Sequence, residues 1–230
     1  MCQNIRLMQT ESGIYDDGSG EVEIIRALGL RRSNLTLLDA FRCCPYIVRV
    51  AAEFIQNPAE REAFLNQSRT SQTEIQTPLF YEAANFDDER ARFIEVLRER
   101  QLVDTGIAIL FPLKRQVEGF AQGLRAEGIP VETVKSGLDF STAKPKVLTI
   151  HGAKGLTFDS VLMPRLVRNS FAGGLEKWAE RLLYVGVTRA TKWLYLSGVR
   201  GPTIPELERV RRLADEKLPA ITVQREPDRR

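Results

Sequence analysis

Residues 106–134 read GIAILFPLKRQVEGFAQGLRAEGIPVETV, and this stretch decides the fold class. GIAILF is an unbroken apolar run, short for a helix and suited to a strand covered on both faces. After it, Val117, Phe120, Ala121 and Leu124 recur at helical spacing and predict an amphipathic helix over residues 114–127. Gly128 stands where a helix end takes its left-handed residue. Residues 129–134 then read as a further strand. Strand, helix and strand in this order imply parallel neighbours with the helix packed across them.

The same alternation continues outward. Residues 78–83 read as a strand and residues 87–100 as a helix, with Phe93, Val96 and Leu97 on one side. Residues 45–56 carry Ile47, Val50, Ala51 and Phe54 at helical spacing, with Pro45 suited to a first turn. Residues 21–28 read as a short helix, 35–38 as a buried strand and 66–77 as a polar loop. Downstream, strands are expected at residues 146–150, 158–163 and 192–197, and a helix at 175–189. The tail, residues 209–230, ends in charge and proline and predicts a short helix that frays. The expected class is α/β, with a mostly parallel sheet and helices on both faces.

Composition narrows the setting. The chain has 230 residues, 43% hydrophobic and 27% charged, ordinary for a globular protein. Its net charge of +3 is well mixed in sign and is not by itself a nucleic-acid footprint. No apolar run is long enough to span a bilayer, so no membrane partner is expected. The polar first residues lack the apolar core of a signal peptide. Cys2, Cys43 and Cys44 form neither a metal-ligand spacing nor a disulfide framework, which points to a reducing, cytoplasmic setting. His151 is the one histidine, so a histidine metal cluster is excluded and no metal site is expected.

Three segments carry candidate chemistry. Residues 148–159, LTIHGAKGLTFD, run from a strand into a glycine-rich turn that exposes His151 and Lys154. Backbone N–H groups and a lysine at a strand's carboxyl end can hold an anion, while the plainer reading is a connecting turn. Residues 180–190, ERLLYVGVTRA, form an apolar helix that presents Thr188 and Arg189 near its end. A held arginine there can stabilise charge on a transferring phosphoryl group, or simply meet the helix dipole. Residues 38–45, LDAFRCCP, place Phe41 and Arg42 where a strand meets a helix. They could stack on a base and pair with phosphate, or be a buried ring and a surface cation. A phosphate-binding loop of the form Gly-x-x-x-x-Gly-Lys-Ser/Thr is missing, because no glycine of the chain precedes a lysine. The acidic string at residues 86–89, FDDE, reads as a helix start with acids at the positive dipole end.

Together, in this order, the three segments resemble the UvrD/Rep/PcrA-type superfamily 1 DNA helicases. Residues 151–159 resemble that family's motif V, His-x-x-Lys-Gly-Leu-Glu-Phe. Residues 182–190 resemble motif VI, Leu-Tyr-Val-Ala-x-Thr-Arg-Ala, and residues 38–45 resemble motif IV, an aromatic followed by arginine. The resemblance covers most of residues 35–198 and implies the second RecA-like motor domain. It further implies that Arg189 and Arg42 act catalytically on the ATP γ-phosphate and that Phe41 stacks on adenine. Thr157 would lie at the nucleotide sugar, and His151 and Lys154 would contact single-stranded DNA. ATP and Mg²⁺ would be shared with a partner, a P-loop-bearing first RecA-like domain on another chain or in a missing N-terminal part.

The pattern departs from the family at several places. Thr157 stands where the family has Glu, and it cannot accept two bonds as a carboxylate does. Residues 12–15, SGIY, resemble the end of motif III with Ser12 in place of Gln. Only residues 135–145 separate two strands where the family inserts an accessory subdomain, so none is expected. The expected organisation is an N-terminal segment over residues 1–34, the motor domain over 35–200, and a helix with a charged tail over 201–230. The leading functional expectation is the C-terminal half of an ATP-dependent DNA helicase or translocase, inactive without a P-loop domain. The alternative is a non-catalytic nucleic-acid-binding or regulatory module derived from one. An unrelated α/β enzyme using the turn at Gly152 for a phosphorylated ligand is a third reading.

Overall fold

The computed structural model describes residues 43–68 and 76–225. The elements expected at residues 21–28 and 35–38, the segment with Ser12, and the candidate residues Phe41 and Arg42 lie outside the described residues.

Six strands, β1 (Leu79–Ala83), β2 (Ile107–Phe111), β3 (Lys146–Thr149), β4 (Phe158–Met163), β5 (Ala190–Val199) and β6 (Thr222–Arg225), form one sheet. Its order is β3-β2-β4-β5-β1-β6, and every pairing is parallel. The helices are α1 (Pro45–Ala52), α2 (Pro58–Gln67), α3 (Phe86–Gln101), α4 (Lys114–Ala126), α5 (Ala179–Val187) and α6 (Leu207–Arg212).

Strand β2 shows why the sheet is covered twice. All five of its residues are buried, and successive side chains enter opposite cores. Ala108 and Leu110 join the core beneath α1, α5 and α6, while Ile107, Ile109 and Phe111 join the one beneath α3 and α4. The fold class is therefore as expected, with the sheet parallel throughout. The register gathers the amino ends of β2, β4 and β5 at one edge, through Ile107 beside Ser160 and Phe158 beside Ala190. The carboxyl ends lie at the opposite edge.

Five elements differ from expectation. Helix α1 stops at Ala52, four residues short of the predicted end at residue 56. Helix α2 was not expected, and Asn57 caps it by accepting from Ala59 N at 2.9 Å and Glu60 N at 3.4 Å. The helix predicted over residues 175–189 is a 3₁₀ turn, Glu176–Trp178, followed by α5. The tail predicted as a fraying helix contributes α6 and then β6, which pairs with β1.

The strand predicted over residues 129–134 is reduced to a single bridge between Glu132 and Lys146. The chain turns at Thr133, whose N–H donates to Ser136 Oγ at 2.9 Å while Ser136 N–H donates to Thr133 Oγ1 at 3.2 Å. Glu132 then closes the following loop. Its carboxylate lies 3.0 Å from Lys146 Nζ and accepts from Asp139 N–H and Thr142 Oγ1, each at 2.8 Å. The ammonium also donates to the Lys144 carbonyl at 2.8 Å and the Thr142 carbonyl at 3.1 Å.

The Asp139 amide, then Lys146 and Thr142, hold the Glu132 carboxyl down to about 2 from its ordinary 4.5. A depressed pKa gives stability that is complete above the ordinary value and is lost as pH falls toward the folded one. Wild type is expected to unfold at higher urea than Glu132→Gln at about pH 5, with the gap largely closed at about pH 2.5. A gap independent of pH would show that the carboxylate charge is not what closes the loop.

Candidate functional site

The residues singled out by sequence fall at both edges of the sheet. At the amino edge, α5 ends at Val187 and Thr188 caps it, so Arg189 sits between that helix and β5. Its guanidinium turns inward. Nε donates to the Val185 carbonyl at 3.0 Å, Nη1 to the Leu156 carbonyl at 3.3 Å and Nη2 to Thr188 Oγ1 at 3.2 Å. Its carbonyl accepts from Phe158 N–H at 2.9 Å, which ties the start of β4 to the start of β5.

Burial lowers the Arg189 pKa from its ordinary value, opposed by Cys43 and Tyr184. No carboxylate pairs with it among the described residues. Arg189 is thus a half-buried cation surrounded by neutral acceptors. Such a group gains when an anion reaches it.

Cys43 belongs to this edge and was not expected there. Its Sγ lies 3.8 Å from the Thr188 carbonyl, and Cys44 N–H donates to the Thr191 carbonyl at 3.0 Å. The start of α1 is therefore fixed beside Arg189. Burial pushes the Cys43 thiol up to about 12, so it is protonated and neutral near pH 7. Thr157 is exposed at the same edge, immediately before β4. Asp159 accepts from Gly106 N–H at 3.1 Å and lies 3.4 Å from Lys192 Nζ, which braces β4 against its neighbours.

At the carboxyl edge, β3 runs into a compact turn that exposes His151 and Lys154. Three of the turn's amides are already engaged. Gly152 N–H donates to Thr149 Oγ1 at 2.9 Å, Ala153 N–H to the Thr149 carbonyl at 3.0 Å, and Lys154 N–H to the His151 carbonyl at 3.1 Å. The amides of Gly152, Ala153 and Lys154 are therefore not free to cradle an anion. What the turn offers is the two exposed side chains. A Cβ at Gly152 would stand tightly, 3.0 Å from Thr149 Oγ1, and Gly155 has a φ of +84°, which favours glycine.

The connection over residues 150–157 runs between the two edges of the sheet. It leaves the carboxyl end of β3 at His151 and returns to the amino end of β4 at Thr157. Ile150 and Ala153 anchor it in the core beneath α5. Its last residues deliver the Leu156 carbonyl to Arg189. One short segment thus joins the edge holding His151 and Lys154 to the edge holding Thr157 and Arg189.

A parallel α/β sheet covered by helices on both faces is also the fold of a helicase C-terminal domain of known structure. Residues 138–201 match the model of the UvrD-like helicase C-terminal domain family. The chain is similar to a probable DNA helicase of Mycoplasma pneumoniae, 29% identical over 135 residues, which is 53% of this chain and 23% of that protein. It thus spans about a quarter of that relative's length. The crystal structure of the C-terminal domain of a possible DNA helicase from Lactobacillus plantarum has the same fold. It superposes with a TM-score of 0.58 at 22% identity, over 80% of this chain and 98% of that one. Among the described residues, no group of three or more His, Cys, Asp or Glu could hold a metal ion, and no helix is long and apolar enough to cross a membrane.

Proposed function

We propose that this chain is the second motor half of an ATP-dependent DNA helicase or translocase. It would act against a P-loop-bearing first RecA-like domain on another chain or in an N-terminal part of a longer polypeptide. The observation that carries this reading is the 150–157 connection, which ends with the Leu156 carbonyl on the Arg189 guanidinium.

The amino edge fits a nucleotide phosphate. Arg189 has neutral acceptors and no described acid, so a phosphoryl oxygen is a better partner than the carbonyls it now holds. Arg42, which directly precedes Cys43, would join it at the γ-phosphate, and Phe41 would stack on adenine. Thr157 would offer one hydroxyl to the sugar. The partner domain would supply the phosphate loop, the magnesium ligands and the catalytic base. ATP hydrolysis with Mg²⁺ would supply the free energy of the cycle.

When Arg189 leaves the Leu156 carbonyl for phosphate, the end of the connection is released. The beginning of the same segment carries His151 and Lys154. Their grip on single-stranded DNA is then coupled to whether the cleft is closed, through one short chain segment with two arrangements. Contacts of this kind rest on backbone charge and stacking, not sequence readout.

The test combines the chain with a P-loop domain of the same helicase class and measures ATP hydrolysis with and without single-stranded DNA. Hydrolysis that needs both domains and rises with DNA is expected. His151→Ala should shrink the DNA-stimulated increment several-fold. DNA binding by the chain alone, with no nucleotide effect and no hydrolysis in the combined system, would instead make it a non-catalytic nucleic-acid-binding module.

A further inference from the structure

The Arg189 guanidinium is held by two parts of the molecule that play different roles in the proposed cycle. Nε and Nη2 make up one edge of its planar fork. Both bond at the end of α5, Nε to the Val185 carbonyl at 3.0 Å and Nη2 to Thr188 Oγ1 at 3.2 Å. Nη1 bonds elsewhere, to the Leu156 carbonyl at 3.3 Å. Only this third acceptor belongs to the 150–157 connection. The other two sit on the same helix end as the arginine and travel with it.

Thr188 keeps the α5 edge of the fork in place. A hydroxyl has one proton to give and two lone pairs. The proton goes to the Val185 carbonyl at 3.1 Å, which leaves the oxygen to accept from Arg189 Nη2. Val185 O, Thr188 Oγ1 and the guanidinium thus close a ring of hydrogen bonds.

Thr188 is itself fixed through its backbone. Its N–H donates to the Tyr184 carbonyl at 3.0 Å, and its carbonyl accepts from the Cys43 thiol, with Sγ at 3.8 Å. The branched Cβ stiffens χ1, so the hydroxyl has little freedom to turn away. A guanidinium aligned in this way presents its remaining donors to a phosphoryl oxygen in one orientation. Serine would keep the ring of bonds. Valine has nearly the same shape and would remove it.

We infer that Thr188 is a positioning residue for Arg189, its hydroxyl holding the Nε–Nη2 edge while Nη1 exchanges the Leu156 carbonyl for a phosphoryl oxygen. This rests on the proposed phosphate role of Arg189 and names the group that aligns it. The exchange then swaps one acceptor at one nitrogen and leaves the rest of the fork where it was. Thr188 acts through the arginine and not on the nucleotide.

The test is steady-state ATP hydrolysis by the full chain combined with a P-loop domain, with single-stranded DNA present. Thr188→Val should lower kcat about 10- to 100-fold, the cost of a misaimed group, and leave KM for ATP within about twofold. Thr188→Ser should bring kcat back close to wild type. In an Arg189→Ala background, Thr188→Val should change kcat no further, because its effect runs through the guanidinium. A wild-type kcat for Thr188→Val, an equal loss in Thr188→Ser, or a further loss in the double variant overturns the positioning role. If Arg189→Ala is slow while Thr188→Val is not, the phosphate role of Arg189 survives and only that of Thr188 falls. If Arg189→Ala turns over like wild type, or the wild-type combination does not hydrolyse ATP, both fall.

Discussion

Arg189→Ala, in the combined two-domain motor, is expected to lower ATP turnover about 10³-fold or more and to leave single-stranded DNA affinity within about twofold. The asymmetry follows from position. Arg189 lies at the amino edge, and His151 and Lys154 project from the carboxyl edge. The guanidinium has three neutral acceptors and no described acid, so its loss leaves no buried charge unpaired. The variant should therefore fold. Arg189→Lys keeps the charge but not the planar fork, and should recover only a small part of the rate. Equal loss of hydrolysis and DNA binding, in a variant with an unchanged urea midpoint, would remove Arg189 from the phosphate.

The second large effect concerns stability. Asp104 (3% exposed) and Arg100 (11%) form a buried ion pair where α3 returns to β2. Asp104 also accepts from Ser160 Oγ on β4. Arg100 donates to Gln76 Oε1 at 2.8 Å, and its guanidinium lies 4.6 Å from the Trp193 ring centroid. Asp104→Ala strands the cation and should cost about 3–5 kcal/mol. For a domain of this size that is a fall in Tm of about 10 °C. Replacing the pair together, with Arg100→Met and Asp104→Leu, should recover a large part of the loss. A single-variant cost below about 1 kcal/mol would mean that water reaches the pair and screens it.

The central strands were legible because burial on both faces leaves a plain apolar signature, as in GIAILF. Strand β6 was not, because an edge strand reading TVQR has exposed side chains and no such run. Helix α2 buries only Phe64 and so shows no apolar stripe. Residues 129–134 misled for the opposite reason. Ile129 and Val131 are buried, yet a strand needs a neighbour with which to pair, and the turn at Thr133 removes it.

The places of His151 and Lys154 after β3, of Thr157 before β4 and of Arg189 between α5 and β5 were legible from the strand and helix pattern. The Leu156 carbonyl was not, since a backbone acceptor has no letter of its own. Cys43 gave no signal because its place beside Thr188 depends on a contact 145 residues away. Glu89, read as a dipole acid, does sit in the first turn of α3 and is also the buried partner of Arg165. Its distance from that arginine along the chain hides the pairing.

The loop closed by Glu132 and Lys146 bears on how the domain could be elaborated. The two side chains that meet at 3.0 Å flank the loop, so the chain leaves and re-enters the body at nearly one point. A guest segment placed among residues 134–144 would emerge and return through that same gate without prying β3 from β2. Lengthening an already closed loop costs little, about 0.6 kcal/mol for each doubling. The domain therefore has a ready grafting point, where a fluorescent reporter or an entire folded module could be seated with the sheet beneath it undisturbed.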